Sequence, residues 1–205
     1  MSRAGARMPA HAAAREPLRA QILDAMRELL FERDWSKITL GDVASHAGVS
    51  RQTLYNEFGS RLGLAEGYAL RLADDLVAHV STAITENAGD ARAAFRAGIT
   101  GYFLHAAADP LIRSLLMGEV KLDLLRIITL DAAPLLDRVT ERLTDEIANS
   151  WIEPTRHQAD VLAHAIARIG LSYIPTPPSG RNAPEEFAEL LGPYVEAILA
   201  AKPEG

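Results

Sequence analysis

Cysteine is missing from all 205 residues. Its absence excludes disulfides, thiolate zinc sites, iron–sulfur clusters and thiol nucleophiles. Such a composition suits a reducing cytoplasm, which is the expected location. Long apolar runs are missing too. No stretch approaches the roughly 20 apolar residues of a transmembrane helix, so no membrane partner is expected. Residues 1–16 hold Arg3, Arg7 and Arg15 without an apolar stretch behind them, unlike a secretory signal. Common enzyme motifs are also lacking: there is no GxGxxG, no Walker-type Gly-Lys-Ser/Thr loop, no GxSxG and no HExxH. Nor is there a Glu-x-x-His, the unit that di-iron bundles pair across helices. These absences weigh against an enzyme without excluding one, and no metal or cofactor is expected. Finally, basic charge is not in surplus: 21 Lys plus Arg against 27 Asp plus Glu leave a net charge of −6. That total argues against a basic coat but leaves the distribution of charge open.

What is present is apolar residue in helical periodicity. Hydrophobic residues make up 48% of the chain and charged residues 23%, ordinary values for a globular fold. From Pro17 to Arg33, Leu18, Ile22, Leu23, Met26, Leu29 and Leu30 recur three and four residues apart, one stripe of an amphipathic helix. Pro17 suits its first turn. Thr39 is placed to cap a short helix ending at Ala47, with Asp42 three residues on as in a capping box. Gly48 stops that helix. Ser50 caps the next, Arg51 to Phe58; Gly59 ends it, and Ser60 caps a fourth reaching about Asn87.

Farther on, Asp90 caps a helix through Ala108, bounded by Pro110. An apolar stretch from Leu111 to Leu130 is interrupted at Gly118, and Pro134 to Trp151 repeats the helical period. Thr155 opens a helix to about Ile174, the proline-rich run from Pro175 to Pro184 is a loop, and a last helix kinks at Gly192-Pro193. The fold class expected is all-α.

Residues 39–58 read TLGDVASHAGVSRQTLYNEF. Two short helices meet at a turn containing Gly48, the spacing of a helix-turn-helix. Leu40, Val43, Ala44 and Ala47 share one face of the first helix, and Val49, Leu54 and Phe58 supply the apolar side of the second. Spacing alone fits a plain helical hairpin equally well. The composition of the second helix favours DNA. Its outward positions are Arg51, Gln52, Thr53, Tyr55 and Asn56, none acidic and all able to hydrogen-bond to a phosphate or a base edge. Ser50, Arg51, Gln52 and Thr53 stand at its N-terminal end, the end a recognition helix turns toward the bases.

The run Thr39…Val43-Ala44…Ala47-Gly48-Val49-Ser50…Thr53-Leu54-Tyr55…Phe58…Ser60-Arg61…Leu64 resembles the N-terminal domain of TetR-type transcriptional regulators. The match covers roughly residues 17–66. It implies an all-helical homodimer in which a helix-turn-helix precedes a divergent helical domain for ligand binding and dimerisation. It further implies sequence-specific binding to double-stranded DNA, most simply as a repressor, controlled by a small molecule. By the same resemblance Thr39 and Tyr55 contact phosphates, Arg51, Gln52 and Thr53 lie nearest the bases, and Arg61 stands for the usual lysine as a phosphate ligand. Asn56 occupies a place where His or Tyr is commoner. Gln52 stands where Gly or Ala is frequent, and a glutamine can pair with adenine. The wording around Tyr55 is also similar to actinobacterial regulators of alkane and lipid metabolism.

The resemblance divides the chain into a basic arm (1–16), a helix-turn-helix domain (17–61) and a ligand and dimer domain (62–205). The arm either tracks phosphates or merely solubilises. In the third part, Phe95, Tyr102, Phe103, Met117, Leu124 and Ile128 form either an apolar pocket or plain core. If a pocket, its lining suits an elongated acyl or alkyl effector, with Tyr102, His105 and Arg113 as polar handles. His157, Asp160 and His164 make an incomplete metal trio and read as surface groups. Residues 155–201 are the dimer surface that the resemblance implies, with Val161, Leu162, Ala165, Ile166, Ile169 and Tyr173 as its apolar stripe. A two-fold dimer places two recognition helices one DNA turn, ~34 Å, apart on a near-palindromic operator. The other readings are a helical enzyme or a protein-interaction module whose N-terminal hairpin is structural only.

Charge follows the same division. Residues 1–61 carry 9 basic and 7 acidic side chains, net +2, and residues 62–205 carry 12 and 20, net −8. The acidity belongs to the second part of the chain.

Overall fold

The structure, a computed structural model, describes residues 10–116, 122–175 and 182–200. Among the described residues there are ten α-helices and no strand. Contacts divide the chain into two compact units, with the division falling between Tyr68 and Ala69. That is farther along than the change of charge near residue 61.

The first unit contains α1 (Ala10–Glu32), a 3-10 turn (Trp35–Lys37), α2 (Leu40–His46), α3 (Arg51–Phe58) and the first turns of α4 (Arg61–Glu86). Helix α1 begins upstream of the expected start, and Pro17 is accommodated inside it. Ala10, Ala12, Ala13 and Ala14 supply the propensity for the extra turns, so residues 10–16 are helical. The other boundaries fall where the sequence signals stand. The Thr39 hydroxyl accepts from the Asp42 N–H at 3.2 Å, and the Asp42 carboxylate accepts from the Thr39 N–H at 2.9 Å, a closed capping box. Gly48 takes φ +66°, in the left-handed region that other residues adopt only at a cost, and so turns the chain between α2 and α3. Ser50 then caps α3 by accepting from the Thr53 N–H at 3.0 Å. Ile22, Met26, Trp35, Val43, Leu54 and Leu64 are almost wholly buried and form the centre of the unit. Each such side chain contributes about 1.5–3 kcal/mol relative to exposure.

The second unit contains the rest of α4 with α5 (Ala91–Ala108), α6 (Pro110–Leu116), α7 (Leu122–Ile128), α8 (Ala133–Ala148), α9 (Arg156–Tyr173) and α10 (Ala183–Ala200). Asp109 is buried at the α5–α6 corner, where its carboxylate accepts from the Leu111 N–H at 2.8 Å and the Ile112 N–H at 3.2 Å. The interruption expected at Gly118, and most of the expected proline-rich loop, lie outside the described residues. Thr155 and Gln158 close a capping box on α9. Pro193 lies inside α10. Helices α8 and α9 pair extensively, and α10 packs on α5 and α9.

Phe187, fully buried, joins Phe103 and Tyr173 with ring centroids 6.0 Å from each. The Trp151 indole N–H donates to the Ile84 carbonyl at 2.6 Å. Asp74 receives Arg138 at 2.6 and 2.8 Å and is also paired with Arg142. Burial alone would raise the Asp74 carboxyl, but the two guanidinium hydrogen bonds outweigh it and hold the group below the usual carboxylate range. No described helix is long and apolar enough to cross a membrane.

Candidate nucleic-acid interface and apolar cavity

Leu54 and Phe58 anchor α3 inward, and the opposite side of the helix is left to polar groups. Ser50, Arg51, Gln52, Tyr55 and Asn56 are exposed, and Thr53 is half-buried. Tyr55 is 49% exposed, so about half of its surface is available outward. The polar groups are organised among themselves. The Ser50 and Thr53 hydroxyls are 2.8 Å apart, and the Gln52 amide donates to the Asn56 side-chain oxygen at 2.9 Å. The latter pair lies one turn apart on the helix, so one face presents two adjoining amides.

Arg51 lies against the first turn of α2. A Cβ at Gly41 would come within 2.7 Å of its guanidinium, so the missing side chain there makes room for the cation. Below it stands Asp42. Hydrogen bonds from the Thr39 backbone and hydroxyl, with the charges of Arg33 and Arg51, keep the Asp42 carboxyl below its usual range. Thr39 is exposed at the N-terminus of α2, with its hydroxyl proton directed to Asp42 at 2.8 Å.

The arginine expected on phosphate has a different setting. The Arg61 guanidinium stacks on Trp35, 4.0 Å from the ring centroid. It donates to the Ile38 carbonyl at 3.3 Å and also to the Trp35 carbonyl. At the far end of α3, Arg19 donates to the Glu57 carbonyl at 2.6 Å and lies over Phe58, 4.3 Å from its centroid. Arg15 pairs with the Glu57 carboxylate at 3.0 Å. Arg19 stands in the sequence only as a basic residue near the N-terminus; its contact with Glu57 has no local signal, because it joins helices 38 residues apart.

Within the second unit, an apolar cavity of ≈ 90 Å³ is walled by α4 to α9. Of the eight residues expected to line a pocket, Tyr102, Leu124 and Ile128 do. Phe103 stacks instead on Tyr102, Tyr173 and Phe187, and Phe95 packs beside Phe187. His105 faces His79, with ring centroids 4.9 Å apart, and lies 3.6 Å from the Asp75 carboxylate. Arg113 is exposed on α6, and Met117 lies outside the described residues. Leu72, Leu76, Leu136, Val139, Ile166 and Gly170 also line the cavity, and nothing in the sequence singles them out for it. Their spacing marks them as inward-facing, but inward-facing residues pack against protein and cavity alike.

Tyr102 is the one polar side chain among the described lining residues. Its hydroxyl donates to the Gly170 carbonyl at 3.3 Å. Burial pushes that hydroxyl up, so it stays neutral. Gly170 suits the approach, since a Cβ there would stand 3.4 Å from the Tyr102 ring. The cavity thus offers dispersion contact along its length and one hydrogen-bonding group. On α9, Leu162 and Ile166 are buried within the protomer, Ala165, Ile169 and Tyr173 are half-buried, and Val161 is exposed. No described group of three or more His, Asp or Glu side chains is arranged to hold a metal.

Comparison with known proteins covers both units. Residues 22–68 match the family described as "Bacterial regulatory proteins, tetR family", and residues 90–193 match "Bacterial Tetracyclin repressor, C-terminal domain". The chain is 49% identical over 191 residues to the HTH-type transcriptional regulator AlkX of Mycobacterium tuberculosis, covering 93% of this chain and 90% of that protein. It is 32% identical over 102 residues to the transcriptional activator FasR of Mycolicibacterium smegmatis, covering 50% of this chain and 44% of that one. Among solved structures, the TetR-family repressor AlkX of Dietzia sp., described as implicated in biodegradation of n-alkanes, superposes with a TM-score of 0.80. It is 40% identical, over 88% of this chain and 96% of that one.

Proposed function

Since the chain belongs to the TetR family of bacterial transcriptional regulators, and is a DNA-binding regulator rather than an enzyme, we propose that it is a repressor released from a near-palindromic operator by an apolar small molecule. The observation that carries the DNA half is the outer face of α3. Five exposed side chains there are polar, none is acidic, and the single large ring among them is half exposed. Arg51, Gln52 and Thr53 read base edges; Tyr55, Thr39 and Ser50 hold phosphate. Asn56 works with Gln52 as a joined amide pair. The arm before residue 10 adds Arg3 and Arg7 to the electrostatic attraction. TetR regulators dimerise, and residues 155–201 form the surface by which this chain does so.

The cavity supports the ligand half. Its wall is aliphatic apart from Tyr102, which selects a straight acyl or alkyl compound over a polar one. The relative from Dietzia sp., tied by its description to n-alkane degradation, supports regulated genes that handle long aliphatic compounds.

The test is a binding titration on duplexes selected by the protein from a random pool. Affinity for a selected duplex should exceed that for random DNA by 10³-fold or more, a typical specificity ratio. Dodecanol or dodecanoate should lower it while a sugar of similar mass leaves it unchanged. Equal affinity for all duplexes would end the operator reading, and indifference to every aliphatic compound would end the effector reading.

A further inference from the structure

Two guanidinium groups bracket the helix pair α2–α3, and both use the same pair of contacts. Arg61, first residue of α4, stacks on the buried Trp35 ring and donates to the carbonyls of Trp35 and Ile38. Those carbonyls lie in the turn immediately before Thr39, the cap of α2. Arg19, on α1, stacks on Phe58 and donates to the Glu57 carbonyl, in the last turn of α3. There a cation satisfies a carbonyl left free by the helix end and complements the helix dipole. Glu57 closes this end with its carboxylate, 3.0 Å from Arg15 and 3.6 Å from Arg19.

A lysine cannot reproduce either arrangement. Its point charge lacks the planar fork that stacks on a ring while donating sideways to carbonyls. A phosphate ligand has the opposite requirement, because a phosphate accepts a flexible ammonium as readily.

We infer that Arg61 is a positioning residue, not a phosphate ligand: it fixes the entry to α2 through the Trp35 and Ile38 carbonyls, as Arg19 fixes the exit from α3 through Glu57. The inference rests on α3 being the DNA-reading helix. Its consequence is that loss of Arg61 costs specificity, because the reading face is tilted, and leaves the count of neutralised phosphates unchanged.

The experiment uses full-length Arg61→Met and Arg61→Lys proteins beside the wild type. Anisotropy titrations across a salt series are run on a duplex selected by the wild type and on a random-sequence duplex. The expected result is a salt slope equal to that of the wild type in both variants. Affinity for the selected duplex should fall about tenfold, the size of one mis-seated base contact, while affinity for random DNA changes less than twofold. Arg61→Lys should not restore the loss. Trp35 emission should shift in both variants without DNA, read as a difference against the constant Trp151 signal, and should stay fixed in the wild type when DNA is added. If Arg61→Met fails to fold, Arg61→Lys carries the same comparison.

The inference is overturned if the slope drops by about 0.9, one counterion, in Arg61→Met and recovers in Arg61→Lys. It is overturned equally if DNA shifts wild-type Trp35 emission, because the guanidinium would then have left the ring. A wild type that enriches no sequence from a random pool removes the DNA-reading role of α3 and, with it, anything for Arg61 to position; unshifted Trp35 emission in the variants removes the positioning contact alone.

Discussion

The two units are stabilised in different ways. Through Tyr68, nearly every turn is fixed by a named polar contact: the Thr39–Asp42 capping box, the Ser50 cap, and arginines seated on carbonyls at both ends of α2–α3. From Ala69 onward, caps recur at Asp90, Asp109 and Thr155, but an extended apolar cluster joins the helices, with polar ties such as Asp74–Arg138 and Trp151–Ile84. A polymer of fixed shape is read by groups held rigidly at hydrogen-bonding distance, so a reading head needs polar contacts that define angles. A flexible apolar molecule is held by contact area, which an incompletely filled aliphatic interior supplies. The charge division, +2 against −8 about residue 61, has the same sense.

The contrast can be broken at several points, in decreasing order of effect. A Cβ at Gly63 would fall 2.1 Å from the Phe58 carbonyl oxygen, a backbone atom that cannot swing aside. Gly63→Ala should therefore lower the stability of the first unit by more than about 3 kcal/mol, the range of severe overpacking. Calorimetry should show that transition displaced and the second unit's preserved; a single unshifted transition would mean that the α3–α4 corner yields.

Arg51→Ala should cost about 1–3 kcal/mol on a selected duplex and relax preference at one position of each half-site. Gly41→Ala is a gentler form of the same test. It displaces only the flexible end of Arg51, so sequence preference should shift while the melting temperature holds. Sequencing of duplexes selected by each variant reads both, and an unchanged preference in Arg51→Ala would remove that residue from the bases.

In the second unit, Ala167→Leu fills part of the cavity. It should abolish the rise in melting temperature on adding dodecanol and leave DNA affinity without ligand intact. A retained shift would place the ligand elsewhere. The smallest effect concerns Asp74. Its carboxyl is held below the usual range in the folded state, so its contribution is present above ordinary carboxylate pKa values and is lost as pH falls through the lowered one. Asp74→Asn should cost about 1 kcal/mol, discounted for partial exposure. It should also flatten the acid limb of the second unit's melting temperature against pH.

Legibility in the sequence follows the same contrast. Thr39, Asp42, Gly48, Ser50 and Gly59 announce their structure because caps and left-handed glycines are local signals. The start of α1 was less legible, since Pro17 reads as a helix opening and the alanines before it carry no cap. The bracketing arginines were visible only as charges, and charge near a helix-turn-helix suggests phosphate; the aromatic faces that receive them come from distant positions. In the second unit the helices were readable from their period, but the cavity wall was not. Phe95 and Phe103 stand out in the sequence by size, yet they pack with Phe187, whereas the wall is built from ordinary Leu, Ile and Val positions and Gly170.

The most direct test of the account is the affinity for a selected duplex measured with and without a series of straight-chain alcohols and acids. The account predicts specific binding that weakens as the aliphatic chain lengthens, with random-sequence DNA little affected. Specific binding that no member of the series alters, while Ala167→Leu behaves as the wild type throughout, would contradict it.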